Sequence, residues 1–136
     1  MASDFAKKLI KKHEGLRLKL FKDSVGLYTI GYGRNLVGKG ISLPEAIELF
    51  ENDIIDAEFA ILNIFGPEIL RESENRVGAL LSMAFNLGED GLRKFVKLLE
   101  AVKARDWNLA AKEAEDSRWF TQVGSRADEI CELLEK

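Results

Sequence analysis

The chain has 136 residues and is poor in the residue types that build cross-links and metal sites. Its one cysteine, Cys131, cannot form a disulfide within the chain. Its one histidine, His13, argues against a zinc site, because the segment HEGLR lacks the second His of the H-E-x-x-H pattern. Two prolines and eleven glycines are too few for a collagen-like or low-complexity chain. The sequence therefore predicts one ordinary globular domain over residues 1–136.

Long apolar stretches are also missing. No hydrophobic run reaches the roughly 18 residues that a membrane-spanning helix needs. The first residues, MASDFAKKLIKK, lack the apolar stretch of a secretory signal peptide. We therefore expect a protein that stays in the cytoplasm after synthesis, has no stable association with membranes, and needs a separate factor if it acts elsewhere.

The charge is distributed unevenly, although the formal net charge is only −3. Residues 1–40 hold nine basic and three acidic side chains, whereas residues 41–136 hold eleven basic and twenty acidic ones. Such an asymmetry predicts that the first third of the chain faces an anionic partner. Composition alone leaves open the alternative that these charges only solvate the surface.

The first forty residues predict a helix followed by a small β-lobe. The expected elements are a helix over 4–14, strands over 16–22 and 27–33, and a short strand or loop over 34–41. Leu16, Leu18 and Leu20 alternate with basic residues, a pattern typical of a half-buried strand. Gly31 and Gly33 indicate bulges or a close approach of the backbone.

The rest of the chain predicts helices only, over 43–65, 74–87, 90–104, 106–115 and 126–135. Ser42 and Glu45 flank Pro44 as a capping box that begins the first of them. The segment 74–87 is apolar nearly all round, as in a buried central helix. We expect an α+β, mainly α fold with two lobes. Its parts are a β-lobe over about 15–41, a connecting helix over about 43–65, and a helical lobe over about 67–136.

Two acids in the basic first third, Glu14 and Asp23, bracket the first predicted strand. A glycosidase needs one carboxyl group that holds its proton and one that stays ionised, on opposite sides of the scissile bond. Glu14 faces the negative end of a helix dipole, which suits a proton donor, and Asp23 lies in a polar turn. Thr29 follows on the next strand, where its hydroxyl can reach Asp23 or a water molecule. Spacing alone leaves open that all three are ordinary surface and strand residues.

Other polar features predict structure more than chemistry. Cys131 has no histidine partner and is expected to be a core thiol. The segment DSRWF, residues 116–120, predicts either a sugar-stacking surface or core packing, and we favour core packing. The segment GYGRN, residues 31–35, matches neither a phosphate-binding loop nor a dinucleotide-binding motif.

The segment HEGLRLKLFKDSVGLYTIGYG, residues 13–33, closely resembles the N-terminal motif of the T4-type phage lysozymes. These are the endolysins, or muramidases, of glycoside hydrolase family 24. The motif consists of Glu-Gly, a basic strand, a turn that contains Asp, and Tyr-Thr-Ile-Gly-x-Gly. SMAFNLGEDG at 82–91 and SRWFTQVGSRA at 117–127 support the resemblance, which extends over nearly the whole chain.

The resemblance implies a lysozyme that hydrolyses the β-1,4 bond between N-acetylmuramic acid and N-acetylglucosamine in peptidoglycan and so causes cell lysis. Glu14 matches the catalytic acid, Asp23 the second catalytic carboxylate, and Thr29 the residue that helps to hold the attacking water. The other matches are Asn35, Phe85 and Asn86 as substrate-binding residues, Trp119 as a packed residue, and Arg126 as a supporting residue near Glu14.

The family also implies inversion at the anomeric carbon without a cofactor or metal ion, because two carboxylates and a positioned water suffice. We expect a monomer whose partner is the peptidoglycan glycan strand and not nucleic acid. An endolysin without a signal peptide waits in the host cytoplasm until a separate membrane-lesion protein gives it access to the cell wall.

The sequence departs from the family in several places. Arg34 stands where the family commonly has His, so we expect a histidine ion pair to be lost. The region before the connecting helix is short, and the chain stops soon after the last helix, which is expected to alter part of one cleft wall. The negative net charge predicts weaker long-range attraction to an anionic wall, unless the basic first third supplies it.

Two other functions stay open at this point. A catalytically silent wall-binding module would bind glycan without shortening it. The other is a glycosidase or transglycosylase that acts on another N-acetylglucosamine polymer such as chitin. A transglycosylase would leave 1,6-anhydro ends, whereas a hydrolase leaves free reducing ends. A purely structural helical protein is disfavoured, because it would not need a polar hairpin facing an acid.

Overall fold

A computed structural model describes residues 1–117, 119, 121 and 124–136, with the side chain of residue 125 left out. Arg118 and Phe120, which the sequence analysis placed in an aromatic segment, lie outside the described residues. The elements are α1 (Asp4–Glu14), β1 (Arg17–Lys22), β2 (Tyr28–Gly31), β3 (Arg34–Asn35), α2 (Leu36–Lys39), α3 (Leu43–Phe65), a 3₁₀ helix (Pro67–Arg71), α4 (Glu74–Arg93), α5 (Val96–Lys103), α6 (Trp107–Glu115) and α7 (Ser125–Glu135). A small antiparallel sheet among helices confirms the predicted α+β, mainly α fold class.

The chain forms two compact units, residues 1–48 and 49–136, and the division falls within α3. In the first unit, α1 begins where the Ser3 hydroxyl accepts a hydrogen bond from the Ala6 N–H at 3.1 Å. It ends at Gly15, whose N–H donates to the Lys11 carbonyl at 2.9 Å. The sheet has the strand order β1-β2-β3, so that Thr29 in the central strand pairs with Phe21 on one side and Asn35 on the other.

One prediction for the first unit was wrong and another was incomplete. β1 is not half-buried, because Leu18 is 82% exposed and Leu20 is 53% exposed. It is an edge strand of the three-stranded sheet, and all of its residues except Phe21 are exposed. The segment 34–41 has the short third strand that was predicted, followed by a helical turn that was not predicted. It contains β3 and the single-turn helix α2, which begins where Asn35 Oδ1 accepts a hydrogen bond from the Gly38 N–H at 3.1 Å.

The second unit contains the hydrophobic core. Its fully buried large side chains are Ile61, Ile69, Leu80, Met83, Leu92, Leu98, Val102 and Leu134. α4 packs against α7, and α6 packs against both α5 and α7. The buried residues of α4 include Leu80 and Met83, which confirms the central helix predicted over 74–87.

The helix predicted over 90–104 is interrupted. The range of α4 extends to Arg93, but it comprises two helices that meet at a kink at Gly88, where φ is 73° and ψ is 170°. The chain then leaves the helix at Phe95, whose ψ of 64° is not helical, and α5 begins at Val96. The apolar residues of this stretch continue across the break, so periodicity alone did not reveal it.

Arg76 ties the end of the last helix to α4. Its Nε donates to the Leu134 carbonyl at 2.9 Å and its Nη2 donates to the Glu135 carbonyl at 3.1 Å. These carbonyls belong to the last turn of the helix, where no N–H group of the helix is available to donate to them. The guanidinium also lies 4.8 Å from the ring centre of Trp107, at the start of α6. One side chain therefore links three helices of the second unit.

An ion pair fixes the start of α3. Arg34 contacts both carboxylate oxygens of Glu45, each at 2.9 Å, and donates to the Gly40 carbonyl at 3.0 Å. Glu45 Oε1 also accepts from the Ser42 N–H at 2.8 Å, while the Ser42 hydroxyl accepts from the Glu45 N–H at 3.3 Å. The predicted capping box is confirmed. Where the sequence analysis expected only the loss of a histidine ion pair, Arg34 forms a bidentate pair of its own.

This pair predicts a pH-dependent contribution to stability. The hydrogen bond from Arg34 and those from Ser42 lower the pKa of Glu45 from 4.5 to about 2. A carboxyl group whose folded pKa is depressed adds stability above its unfolded pKa and loses that contribution as the pH falls through the folded pKa. Glu45→Gln should therefore lower the melting temperature at neutral pH, and the gap to wild type should close as the pH falls from 4.5 to about 2.

Thermal melts across this pH range test the prediction. Glu48→Gln is the matched control, because Glu48 is an exposed residue of the same helix and the substitution removes the same charge. Adding salt should also narrow the gap, since the pair is partly exposed to solvent. A gap of equal size at neutral pH and at about pH 2, or the same gap for Glu48→Gln, would contradict the assignment.

Candidate functional site

The turn between β1 and β2 is organised by Asp23. Its Oδ1 accepts hydrogen bonds from the Val25 N–H at 3.0 Å and from the Leu27 N–H at 2.9 Å. Its backbone N–H donates to the Leu27 carbonyl at 2.9 Å, and its carbonyl accepts from the Gly26 N–H at 3.0 Å. Among the described residues, the hydrogen bonds of this carboxylate all use Oδ1. Oδ2 is therefore left to accept a proton or a hydrogen bond from outside the turn.

Thr29 lies two residues after this turn, in the centre of the sheet, and is only 5% exposed. Its hydroxyl donates to the Leu27 carbonyl at 3.1 Å. The hydroxyl is predicted to reach Asp23 or a water, and its donated hydrogen bond goes to Leu27, the residue whose N–H Asp23 also binds. Because a hydroxyl has one proton to donate and two lone pairs, Oγ1 can still accept a hydrogen bond.

Glu14 is the last residue of α1 and is exposed. Its carboxyl group lies against Gly33, in the turn that connects β2 to β3. A Cβ placed on Gly33 would be 2.5 Å from Glu14 Oε2 and 3.0 Å from Glu14 Cδ. The Lys11 ammonium, one helical turn before Glu14, lies 5.1 Å from the ring centre of Tyr32 in the same turn. The C-terminal turn of α1 therefore lies against the β2–β3 turn.

The first unit thus brings several predicted site residues onto one small sheet. Asp23 and Thr29 share the hairpin, Glu14 lies against the next turn, and Asn35 follows in β3. The Asn35 side-chain oxygen is occupied in capping α2, which leaves its amide N–H groups as donors. Sequence reasoning did not connect Gly33 with Glu14, although the glycine itself was recognised as a sign of close backbone approach.

In the second unit, Asn86 is held by Trp119. The Trp119 Nε1–H donates to Asn86 Oδ1 at 2.8 Å. The indole nitrogen can only donate, so it orients the amide with its oxygen toward Trp119 and its NH₂ group away. Trp119 is 2% exposed, which confirms the core packing predicted for it, whereas Asn86 is exposed. The arrangement presents an oriented hydrogen-bond donor at the surface of α4.

The neighbouring Phe85 is 40% exposed. Its ring centre lies 5.7 Å from that of Phe50, with the two planes tilted by 43°, a common geometry for aromatic pairs. Arg126 is an exposed residue in the first turn of α7. Its predicted place beside Glu14, and the substrate-binding roles of Asn35, Phe85 and Asn86, stay predictions.

Cys131 is predicted to be a core thiol. It packs against the core but is only partly buried. Burial raises its pKa to about 11, with the nearby charges of Glu115, Asp128 and Glu135 adding to the effect. A thiol with a raised pKa is a poor nucleophile at neutral pH, which agrees with a structural role.

The described part of the chain contains no group of three His, Cys, Asp or Glu side chains arranged to hold a metal ion. A depression of about 340 Å³ lies at the start of α5, between Lys94, Lys97 and Glu113. It involves none of the predicted site residues. Within the described residues, every helix is too short or too polar to cross a bilayer.

The chain is similar over most of its length to known proteins. The family model described as "Phage lysozyme" matches residues 11–132. "Probable T4-type lysozyme 2" of Dictyostelium discoideum is 29% identical over an alignment that covers 95% of this chain and 92% of that protein. The "Endolysin" of Acyrthosiphon pisum secondary endosymbiont phage 1 is 33% identical, covering 77% of this chain and 71% of that protein.

A third relative is much longer. The "Pre-baseplate central spike protein Gp5" of Enterobacteria phage T4 is 31% identical over 93% of this chain. The chain spans only 27% of the length of that protein. The likeness therefore concerns one part of Gp5.

The turn predicts that the two roles of the Asp23 side chain can be separated. Asp23→Ala removes the acceptor of two backbone hydrogen bonds and should cost about 1 kcal/mol of stability. Asp23→Asn keeps an oxygen at Oδ1 and should be nearly as stable as wild type. Denaturant unfolding of the three proteins measures the difference, and equal losses for Ala and Asn would contradict the turn geometry.

Proposed function

The chain belongs to the phage lysozyme family, which makes it a glycoside hydrolase acting on peptidoglycan, and on this premise we propose that Glu14, Asp23 and Thr29 cleave the glycan. The bond would be the β-1,4 linkage between N-acetylmuramic acid and N-acetylglucosamine. The observation that carries the proposal is the hairpin, in which Asp23 and Thr29 are fixed through the same backbone residue, Leu27. Asp23 Oδ2 and the hydroxyl oxygen of Thr29 can each still accept a hydrogen bond.

Glu14 acts in this proposal as the general acid. Its side chain is exposed at the end of α1, so a glycan strand can reach it. It donates its proton to the glycosidic oxygen as the bond to the anomeric carbon breaks. The leaving sugar then departs as a neutral alcohol and not as an alkoxide.

Asp23 and Thr29 hold the water that attacks. The Thr29 hydroxyl proton is committed to the Leu27 carbonyl, so its oxygen accepts one hydrogen bond from the water. Asp23 Oδ2 accepts the second water proton and takes it as the new bond forms. The water oxygen is left with a lone pair for the anomeric carbon. Attack on the face opposite the leaving group gives inversion.

The second unit would contact the sugars. We propose that the oriented Asn86 amide donates a hydrogen bond to a carbonyl such as that of an N-acetyl group. The exposed ring of Phe85, supported by Phe50, offers an apolar face for a sugar ring. Asn35 can donate from its amide nitrogen, and Arg126 would support the acid. None of these steps needs a metal ion or a cofactor.

The proposal extends to how the protein reaches its substrate. The basic excess in residues 1–40 favours approach to the anionic cell wall. Three of these cations also lie over aromatic rings of their own unit, Lys11 on Tyr32 among them. A monomer that waits in the host cytoplasm for a separate membrane-lesion protein, and then lyses the cell, fits this account.

Glu14→Gln tests the acid. Removing the transferable proton should slow peptidoglycan cleavage by at least about 10²-fold, while the amide keeps the shape of the side chain. The measurement is loss of turbidity of permeabilised bacteria, together with mass analysis of the released ends. Asp4→Asn is the matched control, because it removes an acid from the first turn of the same helix.

The outcomes separate the competing functions. Clearing by wild type and Asp4→Asn alone, with free reducing muramic acid ends, supports the hydrolase. Cleavage that leaves 1,6-anhydro ends would identify a transglycosylase. Wall binding by a folded wild-type protein that clears nothing would identify a silent binding module.

Asp23→Asn tests the second carboxylate independently of the fold. The variant keeps the turn but lacks a base for the water proton, so cleavage should fall by about 10²-fold or more at nearly unchanged stability. Initial rates on purified peptidoglycan, compared at matched folded concentration, measure the loss. Wild-type rates for this variant would show that Asp23 does not act as the base for the attacking water.

A further inference from the structure

We propose that Gly33 is a positioning residue for the carboxyl group of Glu14. The missing side chain of Gly33 provides the space that this carboxyl group occupies. The inference rests on the proposed role of Glu14 as the general acid. It adds a residue that does no chemistry itself but sets where the proton donor stands.

The distances define this space closely. A Cβ on Gly33 would lie 2.5 Å from Glu14 Oε2, 3.0 Å from Cδ and 3.3 Å from Cγ. All three are shorter than the 3.4 Å at which ordinary contact begins. Cγ and Cδ lie on the axis of the last side-chain bond, so turning the carboxylate about that bond would move Oε2 but leave these two atoms too close.

The three nearest atoms all belong to the flexible side chain of Glu14, and none of the three is a backbone atom. A methyl group at position 33 can therefore be accommodated if the Glu14 side chain moves, without a change in the fold. The substitution would then displace the carboxyl group of Glu14 and leave the fold unchanged. Misplacing a reacting group by about 1 Å can cost on the order of 10²-fold in rate.

A second contact also links this turn of α1 to the β2–β3 turn. Lys11 lies on the same face of α1 as Glu14, three residues earlier, and its ammonium lies over the Tyr32 ring at 5.1 Å. The last turn of α1 is thus held on the β2–β3 turn at two adjacent residues, Tyr32 and Gly33. With the helix held there, the side chain of Glu14 is the part free to adjust.

The chain offers a matched control in Gly31. Both glycines have left-handed backbone, with φ of 79° at Gly33 and 70° at Gly31, so alanine is strained at either position. A Cβ on Gly31 meets nothing within 4 Å. Gly31→Ala therefore carries the backbone penalty without the contact with Glu14.

The experiment compares Gly33→Ala with Gly31→Ala for melting temperature, for wall binding by co-sedimentation, and for cleavage of purified peptidoglycan. Both variants should lose similar thermal stability and keep wild-type wall binding. Gly33→Ala should lose about 10²-fold in kcat, and Gly31→Ala less than about 10-fold. Equal rates for the two variants at matched folded concentration would overturn the proposal.

A double-mutant cycle adds a readout that a purely structural role would not move. In the Glu14→Asp background, the shorter side chain leaves room for a methyl group on Gly33, so Gly33→Ala should add less than about 3-fold further loss. The same full loss in both backgrounds would contradict the proposal. If Gly33→Ala does not fold, Gly33→Asn replaces it, because Asn tolerates a left-handed backbone and still carries a Cβ.

Failure of this inference is distinguishable from failure of the proposed function. Full activity of Glu14→Gln would show that Glu14 is not the general acid, and the positioning role of Gly33 would be refuted with it. An inactive Glu14→Gln with equally active glycine variants would leave the acid in place and remove only the role of Gly33.

Discussion

The two hydrogen bonds that the Asp23 carboxylate accepts from its own turn are the interaction on which the first unit depends. They close the hairpin between β1 and β2, and the closed hairpin sets the register that places Thr29 between Phe21 and Asn35. The same side chain is the proposed base of the reaction. One carboxylate oxygen shapes the turn and the other is available for chemistry, so the fold and the proposed mechanism share a residue without competing for the same atom.

Stability and chemistry are divided between the two units. The buried core belongs to the second unit, where Leu80 and Met83 of α4 are fully enclosed and Arg76 ties the last helix back to α4. The first unit is held mainly by polar interactions, such as the pair of Arg34 with Glu45, and its one buried polar side chain is Thr29. A small sheet held by hydrogen bonds can present carboxylates to a substrate, whereas a packed core could not do so without a desolvation cost.

Local signals in the sequence predicted the parts of the structure that depend on local interactions. The capping box at Ser42, the helix that ends at Glu14 and the turn at Asp23 each follow from residues within a few positions. The errors concern longer-range packing. The exposure of Leu18 depends on whether another element covers that face of the sheet, and the contact of Gly33 with Glu14 depends on how α1 lies against the sheet. Neither feature can be predicted from a short stretch of sequence, although a glycine after a predicted strand does indicate the close approach at Gly33.

The central claim is that a water held by Asp23 and Thr29 replaces the leaving sugar in a single inverting displacement. The most direct measurement is cleavage of peptidoglycan in water enriched in the heavy oxygen isotope, with the anomer of the new ends read by NMR before it equilibrates. The account predicts one heavy oxygen per cleaved bond, on muramic acid ends that first appear as the α anomer. Ends that first appear as the β anomer, or that carry no oxygen from water, would contradict it.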